Sequence, residues 1–195
     1  IAIILAGDLN PDQVIKIIDR NFSYMKKQPV ETYQSPKLAS VNKLITKEIY
    51  GPSAENVRMV FRSAGAGTRD AMLASLATSV LYNQAAGLID LNINQQQKVL
   101  GAGAALWQFR EAGLLFLFAS PKAGQSLDEA KSIVMDQVNI LKRGEFDEKL
   151  IKAIVANEKL GHLQSLKNNT SRAEALTTEF ISSRGENWNL EVAML

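Results

Sequence analysis

The chain of 195 residues contains no cysteine, which excludes disulfides and thiol nucleophiles. It contains a single histidine, His162, so its own sequence cannot supply a zinc motif that needs two imidazoles. The formal net charge is only +2, with basic residues scattered among acidic ones, and this balance does not favour nucleic acid as a partner. No apolar run approaches the ~18 residues of a membrane span.

A serine triad is also disfavoured, because the chain has a single histidine and no serine stands in a recognisable nucleophile elbow. Glycine motifs are equally uninformative. Gly101-Ala102-Gly103 lies within a predicted strand, which favours close packing over dinucleotide binding, and Gly65-Ala66-Gly67-Thr68 lacks the lysine of a phosphate-binding loop. We predict no catalytic and no metal-binding residue in this chain, and we interpret His162 as a structural residue at a helix edge.

Other polar and aromatic clusters have structural interpretations. Glu145, Asp147 and Glu148 surround a predicted helix start, where carboxylates interact favourably with the helix dipole. Trp107, Phe109, Phe116 and Phe118 recur at a spacing of two, and no basic groove accompanies them, so we interpret them as core or sheet-face residues. The absence of cysteine fits a bacterial periplasm and a cytoplasm equally, and the compartment stays open.

The chain begins with an apolar run, Ile1–Ala6, which predicts a buried strand. Asn10 and Pro11 then predict a helix start, and the apolar spacing extends this helix to Phe22. A strand that is buried from its first residue needs neighbours on both sides. We therefore expect the sequence to be a piece of a larger protein.

The remaining pattern predicts an α+β fold, an antiparallel sheet with helices packed on one face. Residues 23–42 have the composition of a linker. Alternation predicts strands at 44–50 and 56–62, followed by a helix over 69–83 with Leu73, Leu76, Val80 and Leu81 as its core stripe. A short helix at 87–93 precedes a hairpin of strands 99–109 and 114–119. Further helices are predicted at 127–143, 147–166, 170–184 and from 188 onward, the first introduced by a capping box at Ser126 and Glu129.

Several stretches together resemble the pitrilysin/insulinase family of inverted-zincin peptidases. The first similar stretch is an apolar strand followed by Gly-Asp, Asn-Pro and an amphipathic helix, and the second is a strand that leads to a Gly-Ala-Gly turn. The third is a short helix before a strand of small residues. The fourth is a helix that begins with a Gly-x-hydrophobic pattern and is followed by a helix with a Ser-Arg-Ala sequence. The residues concerned are 1–22, 51–67, 81–100, 142–150 and 169–173.

This resemblance implies three segments. Residues 1–28 are similar to the terminal strand and helix of the preceding catalytic-type domain, residues 29–43 to a linker, and residues 44–195 to the non-catalytic second domain. The zinc ligands of the family would lie upstream of Ile1, so zinc is implied for the full-length protein and not for this chain. Some second-type domains hold substrate with an arginine and a tyrosine seven residues apart. Asn92 and Val99 occupy those positions here, which argues against a direct role in catalysis.

The leading hypothesis is a chamber-forming domain of a zinc peptidase that cuts peptides or small unfolded proteins. Its implied partners are the catalytic domain and second half of the same protein and a peptide substrate. An inactive structural or partner subunit of the same fold is the first alternative, and an unrelated α+β binding module is the second. We also expect residues 1–22 to complete the sheet, either within the chain or by exchange in a homo-oligomer.

Overall fold

The structure is a computed structural model that describes residues 2–26, 28–29, 31, 33–35 and 38–182. Within these residues, the helices are α1 (Pro11–Phe22), α2 (Arg69–Leu81), α3 (Leu127–Arg143), α4 (Glu148–Ser165) and α5 (Asn169–Ser182). The strands are β1 (Val57–Ala64), β2 (Gly101–Gln108) and β3 (Ala112–Ser120). One turn of π-helix, Asp90–Asn94, lies between α2 and β2 and is called the π turn below.

The three strands form an antiparallel sheet in the order β1-β3-β2. β2 and β3 are joined by a tight connection in which Phe109 donates its N–H to the carbonyl of Ala112. In the register, Gly103 lies opposite Phe118 and Val60 lies opposite Phe116. The predicted hairpin is therefore confirmed, and so is the α+β class with an antiparallel sheet.

Helices cover one face of the sheet. α2 and α3 pack on the strands, and α4 packs on α2. Alternate strand residues such as Met59 and Leu117 point into this layer and are buried, because successive side chains of a strand point to opposite faces. The largest side chains with almost no exposed surface belong to this core, namely Val80, Leu81, Ile89, Ile93, Leu117 and Val134.

The helix boundaries follow from side-chain caps. Asn10 accepts the N–H of Gln13 with Pro11 in the first turn, and Thr68 accepts the N–H of Ala71. Ser126 and Glu129 form the predicted capping box. α3 ends at Gly144, whose φ of 69° is the left-handed conformation that glycine adopts without strain.

Two predicted strands are wrong. Residues 2–6 belong to no strand, and neither do residues 44–50, whose apolar side chains are strongly exposed. A strand exists only when its backbone pairs with a neighbour, and within the described residues the sheet ends at β1 on one side and β2 on the other. The expectation that the N-terminal strand completes the sheet within the chain is wrong for the same reason. Ile1 itself lies outside the described residues.

One helix also differs from expectation. α2 ends at Leu81 and buries Ala71, Thr78, Val80 and Leu81, whereas Leu73 is exposed. The buried side of α2 thus includes the small side chains of Ala71 and Thr78, which the hydrophobic pattern did not assign to the core. The helix predicted from residue 188 and the last two residues of the helix predicted at 170–184 lie outside the described residues.

Candidate functional site

The two positions that the family resemblance marks for substrate contact lie on and after the π turn. Asn92 is half-buried, and its Nδ2 donates to Oε1 of Gln137 in α3 at 2.8 Å. Val99 is 3% exposed and belongs to the core. The Asn92 amide thus joins the π turn to α3, and the Val99 side chain packs against apolar neighbours. That neither residue contacts substrate stays a prediction.

A buried carboxylate shapes the loop before the π turn. Asp90 is 6% exposed, and its Oδ2 accepts the backbone N–H groups of Asn83 and Gly87, each at 3.0 Å. Gly87 leaves room for this contact, since a Cβ there would lie 2.7 Å from the carbonyl oxygen of Leu81. The Asp90 side chain, which belongs to the π turn, therefore fixes the loop that precedes this turn.

Asn94 connects the other end of the π turn to the sheet. Its Nδ2 donates to the carbonyl of Ala102 at 2.9 Å, and its Oδ1 accepts the N–H of Ala102 at 3.0 Å. These bonds satisfy both the N–H and the carbonyl of one residue of the edge strand β2. Asn94 acts here as a one-residue substitute for a neighbouring strand.

A shallow polar hollow of about 420 Å³ lies beside the π turn. Amide and carboxyl side chains line it, and Gln84 reaches it from a left-handed backbone with φ of 66°. Its lining residues are Tyr82, Gln84, Ala85, Asp90, Asn94 and Gln95. Asp90 and Asn94 are engaged with the backbone, and the amides of Gln84 and Gln95 can donate and accept hydrogen bonds at the hollow.

His162 lies in α4 and is half-buried. Its Nε2 is buried and has no hydrogen-bond partner among the described residues. Glu158, one helical turn before it, accepts a hydrogen bond from the Ser79 hydroxyl at 3.1 Å. The part of the chain that the structure describes contains no group of three or more His, Cys, Asp or Glu side chains that could hold a metal ion.

The donor set does not fit zinc. Zinc in proteins takes cysteine sulfur, histidine nitrogen or carboxylate oxygen, usually with several nitrogen or sulfur ligands. This sequence offers one histidine and no cysteine, and the nearest carboxylate in α4 is bound to Ser79. The residues of this chain therefore do not fit a zinc site.

Two of the three acidic residues near the start of α4 have the predicted structural role, and Glu145 instead pairs with an arginine. Asp147 caps the helix by accepting the N–H of Lys149 at 2.9 Å, and Glu148 lies in the first turn. Glu145 forms a two-pronged contact with Arg143, at 2.7 and 2.8 Å. The hydrogen bonds from the Arg143 guanidinium lower the pKa of the Glu145 carboxyl.

The glycine motifs also have the predicted structural roles. Gly103 lies under the ring of Phe118, and a Cβ at Gly103 would approach that ring to 2.5 Å. Gly65 packs equally closely against the backbone of Arg110, while Thr68 caps α2. Close strand packing and a plain turn therefore account for both motifs.

The spacing-two aromatic residues predicted a sheet face, and three of them, Trp107, Phe116 and Phe118, lie on the face that no described helix covers. We call it the open face and define it by Arg58, Val60, Arg62, Trp107, Phe116 and Phe118. Trp107 is 58% exposed and its ring centroid lies 4.6 Å from that of Phe116. The spacing-two aromatic pattern was the available signal, but it does not tell which face the helices cover.

None of the described helices is both long and apolar enough to cross a membrane. Among functionally curated proteins, no sequence matches this chain. Solved structures match in fold at low sequence identity. A protease from Helicobacter pylori is 14% identical with a TM-score of 0.77, over 97% of this chain and 48% of that one. This chain thus spans about half the length of the Helicobacter protein.

Two further structures carry more specific descriptions. The inactive peptidase domain of a protein assigned as a zinc protease, from Bordetella parapertussis, is 16% identical with a TM-score of 0.57 over 73% of this chain and 77% of that one. The first half of the periplasmic protease PqqL from Escherichia coli is 11% identical with a TM-score of 0.59 over 96% of this chain and 42% of that one.

The sequence itself decides the family. A family model described as the Peptidase M16 inactive domain matches residues 1–158, which is most of the chain. The resemblance to the non-catalytic second domain of the pitrilysin/insulinase peptidases is thereby confirmed, and the unrelated binding module is excluded. This chain belongs to the Peptidase M16 inactive-domain family.

Proposed function

We propose that this chain is a chamber-forming, non-catalytic domain of a zinc-dependent peptidase, and that the full-length protein cuts peptides or small unfolded proteins. The observation that carries the proposal is the match of residues 1–158 to the inactive domain of the family. The donor chemistry agrees, since one histidine and no cysteine give a poor zinc site. Zinc then belongs to another part of the full-length protein.

The polar groups around the π turn support a binding and shaping role. Asp90, Asn92 and Asn94 each hold a hydrogen bond to another part of the fold. These bonds hold the three side chains in place, so they shape the loop and the π turn beside the hollow. Gln84 and Gln95 remain at the rim of the hollow, where amides can bond the backbone of an extended peptide.

In this proposal, residues 1–28 are the end of the preceding catalytic-type domain, residues 29–43 are the linker, and residues 44–195 are the second domain. α1 supports the assignment because none of its residues is buried, although Ile15, Ile17 and Phe22 are apolar. An amphipathic helix of this kind is normally stabilised by a packed apolar face. The catalytic domain would supply the surface that covers it, and the second half of the protein would close the chamber.

The decisive experiment compares the full-length protein with the 195-residue chain. Both are loaded with zinc and tested on fluorogenic peptides and on a folded protein that contains the same peptide sequences. We expect the full-length protein to cut the peptides, to lose this activity on chelation and to spare the folded protein, and we expect the chain alone to be inactive.

Two results would overturn the proposal. Peptide cleavage by the purified, zinc-loaded chain would place the active site within it. A full-length protein that has no zinc motif and no peptidase activity would instead favour the inactive structural or partner subunit of the same fold.

A further inference from the structure

Among the residues that the structure describes, no helix covers the open face, because α2 and α3 pack on the other side of the sheet. Residues 39–41 lie along its β1 border, where Ser40 and Val41 line a hollow together with Val60 and Arg62. Along β1, Met59 is buried under the helices, whereas Val60 is 51% exposed. Along β3, Leu117 is fully buried and Phe118 is 38% exposed. Because the strand pleat alternates sides, the exposed members of both strands form one continuous surface.

This surface is apolar at its centre. Val60 lies opposite Phe116 in the register, and the rings of Phe116 and Trp107 are in contact across β3 and β2. Gly103 carries no side chain, so the ring of Phe118 folds over it and broadens the flat area. Contiguous exposed apolar surface on a folded domain marks an interaction site far more often than isolated apolar residues do.

Two arginines border the apolar centre on the β1 side. Arg58 and Arg62 are four residues apart on the same face, which corresponds to about 13 Å along a strand. Arg58 bonds Oδ1 of Asn56 at 3.3 Å, and Arg62 bonds the carbonyl of Ala39 at 2.6 Å. Within the described ranges, neither guanidinium forms an ion pair with a carboxylate, in contrast to Arg143. Among the described residues, the open face therefore combines aromatic surface with two guanidinium groups that have no carboxylate partner.

The size of the open face limits what can cover it. Three strands of eight or nine residues span roughly 10 Å from the first to the last and roughly 25–30 Å in length, or about 300 Å². A stable interface with a folded partner or with a second copy of the chain buries ~800 Å² on each side. This area falls well short of that value and suits a single extended polypeptide segment.

We propose that the open face binds unfolded segments in which acidic residues accompany aromatic or aliphatic ones. The apolar side chains lie on Val60, Trp107 and Phe118, while carboxylates pair with Arg58 and Arg62. A peptide in extended conformation repeats its side chains at the same pitch as β1, so acidic residues four positions apart reach both arginines. This inference rests on the proposed function, in which such segments are the substrates of the full-length peptidase.

The test measures peptide binding by the 195-residue chain. The probe is a short fluorescein-labelled peptide that carries Phe, Leu and two Glu residues four positions apart, and its counterpart replaces both Glu residues with Lys. Trp188→Phe leaves Trp107 as the only tryptophan, so its emission reports occupancy of the open face. We expect the acidic peptide to bind about tenfold more tightly than the lysine peptide and to shift the Trp107 emission.

Matched variants separate local from overall charge. Arg58→Gln/Arg62→Gln is expected to weaken acidic-peptide binding about tenfold, since exposed ion pairs each contribute up to a few-fold in affinity. Arg20→Gln/Arg69→Gln removes the same charge from other exposed sites and should leave binding unchanged. Circular dichroism of every variant establishes that each is folded.

Equal binding of both peptides, or equal loss in both double variants, would overturn the inference. So would a dimer of the chain that dissociates in Arg58→Gln/Arg62→Gln, because the face would then be a contact between copies. The proposed function is tested separately by zinc-dependent cleavage in the full-length protein. Cleavage without binding to the open face refutes only the inference, and binding without cleavage refutes only the proposed function.

Discussion

Replacing Asp90 by alanine removes the carboxylate that fixes the loop before the π turn. Its Oδ2 accepts the N–H of Gly87, where the bond is buried, and the N–H of Asn83, where it is half-buried. In the alanine variant the Gly87 N–H loses its acceptor in a place that water does not readily reach. The Asn83 N–H is nearer the surface and regains part of its bonding from solvent.

The magnitude follows from these two environments. A buried donor that is left without a partner costs about 1–3 kcal/mol, and a hydrogen bond at a half-buried site contributes about 1 kcal/mol. We therefore expect Asp90→Ala to lower the free energy of unfolding by about 2–4 kcal/mol. For a domain of this length that corresponds to a fall in Tm of roughly 5–15 °C.

Asp90→Asn keeps the acceptor oxygen and removes its negative charge, so it separates the effect of the hydrogen bonds from the effect of the charge. The asparagine oxygen can still accept both N–H groups, but a bond to a neutral acceptor is about half as strong as one to a carboxylate. We expect a loss of about 1 kcal/mol. Asp136→Asn, at an exposed position of α3, is the matched control and should change stability by less than about 0.5 kcal/mol.

Urea unfolding of the 195-residue chain, followed by far-ultraviolet circular dichroism, measures all three variants. The reasoning fails if Asp90→Ala is no more destabilising than Asp136→Asn. It also fails if Asp90→Asn and Asp90→Ala are equally destabilising, because the acceptor oxygen would then have no role. The asparagine variant keeps the test decisive should the alanine variant not fold.

Three further predictions use the same unfolding assay. Gly87→Ala should lower the free energy of unfolding by about 1–3 kcal/mol, because its Cβ would lie 2.7 Å from the Leu81 carbonyl oxygen. Gly161→Ala, in open space within α4, should instead raise it by about 0.5–1 kcal/mol, and equal effects of the two substitutions would contradict the close contact at Gly87. Ser126→Ala should cost about 1 kcal/mol, and an unchanged midpoint would argue against the capping box. Hydrogen bonds from the Ser126 backbone N–H and hydroxyl lower the pKa of Glu129, so its contribution is complete above its unfolded pKa and is lost as pH falls. The stability difference between wild type and Glu129→Gln should therefore shrink from about pH 6 to about pH 3, and a constant difference would refute this linkage.

The features that sequence predicted well are those with local physical causes. The capping box needs only Ser126 and Glu129, three residues apart, and the left-handed turn at Gly144 needs only the absence of a Cβ. The β2–β3 hairpin is nearly as local, because its strands are joined by a few residues that bring them together. Such elements are specified before any distant contact forms.

The features that sequence predicted poorly depend on distant partners. Residues 44–50 alternate as strand residues do, yet alternation does not supply the neighbouring backbone that a strand needs, and their apolar side chains are exposed. The side of the sheet that carries α2 and α3 is also a tertiary property. For that reason the aromatic repeat of β2 and β3 predicted a sheet face without indicating that Trp107 lies on the bare one.

The same distinction between local and distant causes applies to Asn92 and Val99. The resemblance places them where other second-type domains carry an arginine and a tyrosine, but a pattern cannot say what else these positions do. Here Val99 is sealed in the core and the Asn92 amide bonds Gln137, itself only 5% exposed. A phenol at Val99 would have to displace packed neighbours and bury its hydroxyl, and an arginine at position 92 would place a much longer side chain beside the buried Gln137. In this chain, then, the Asn92 amide joins the π turn to α3 and Val99 packs in the core, so the contacts of both positions with the rest of the fold are set by tertiary packing that a sequence pattern does not contain.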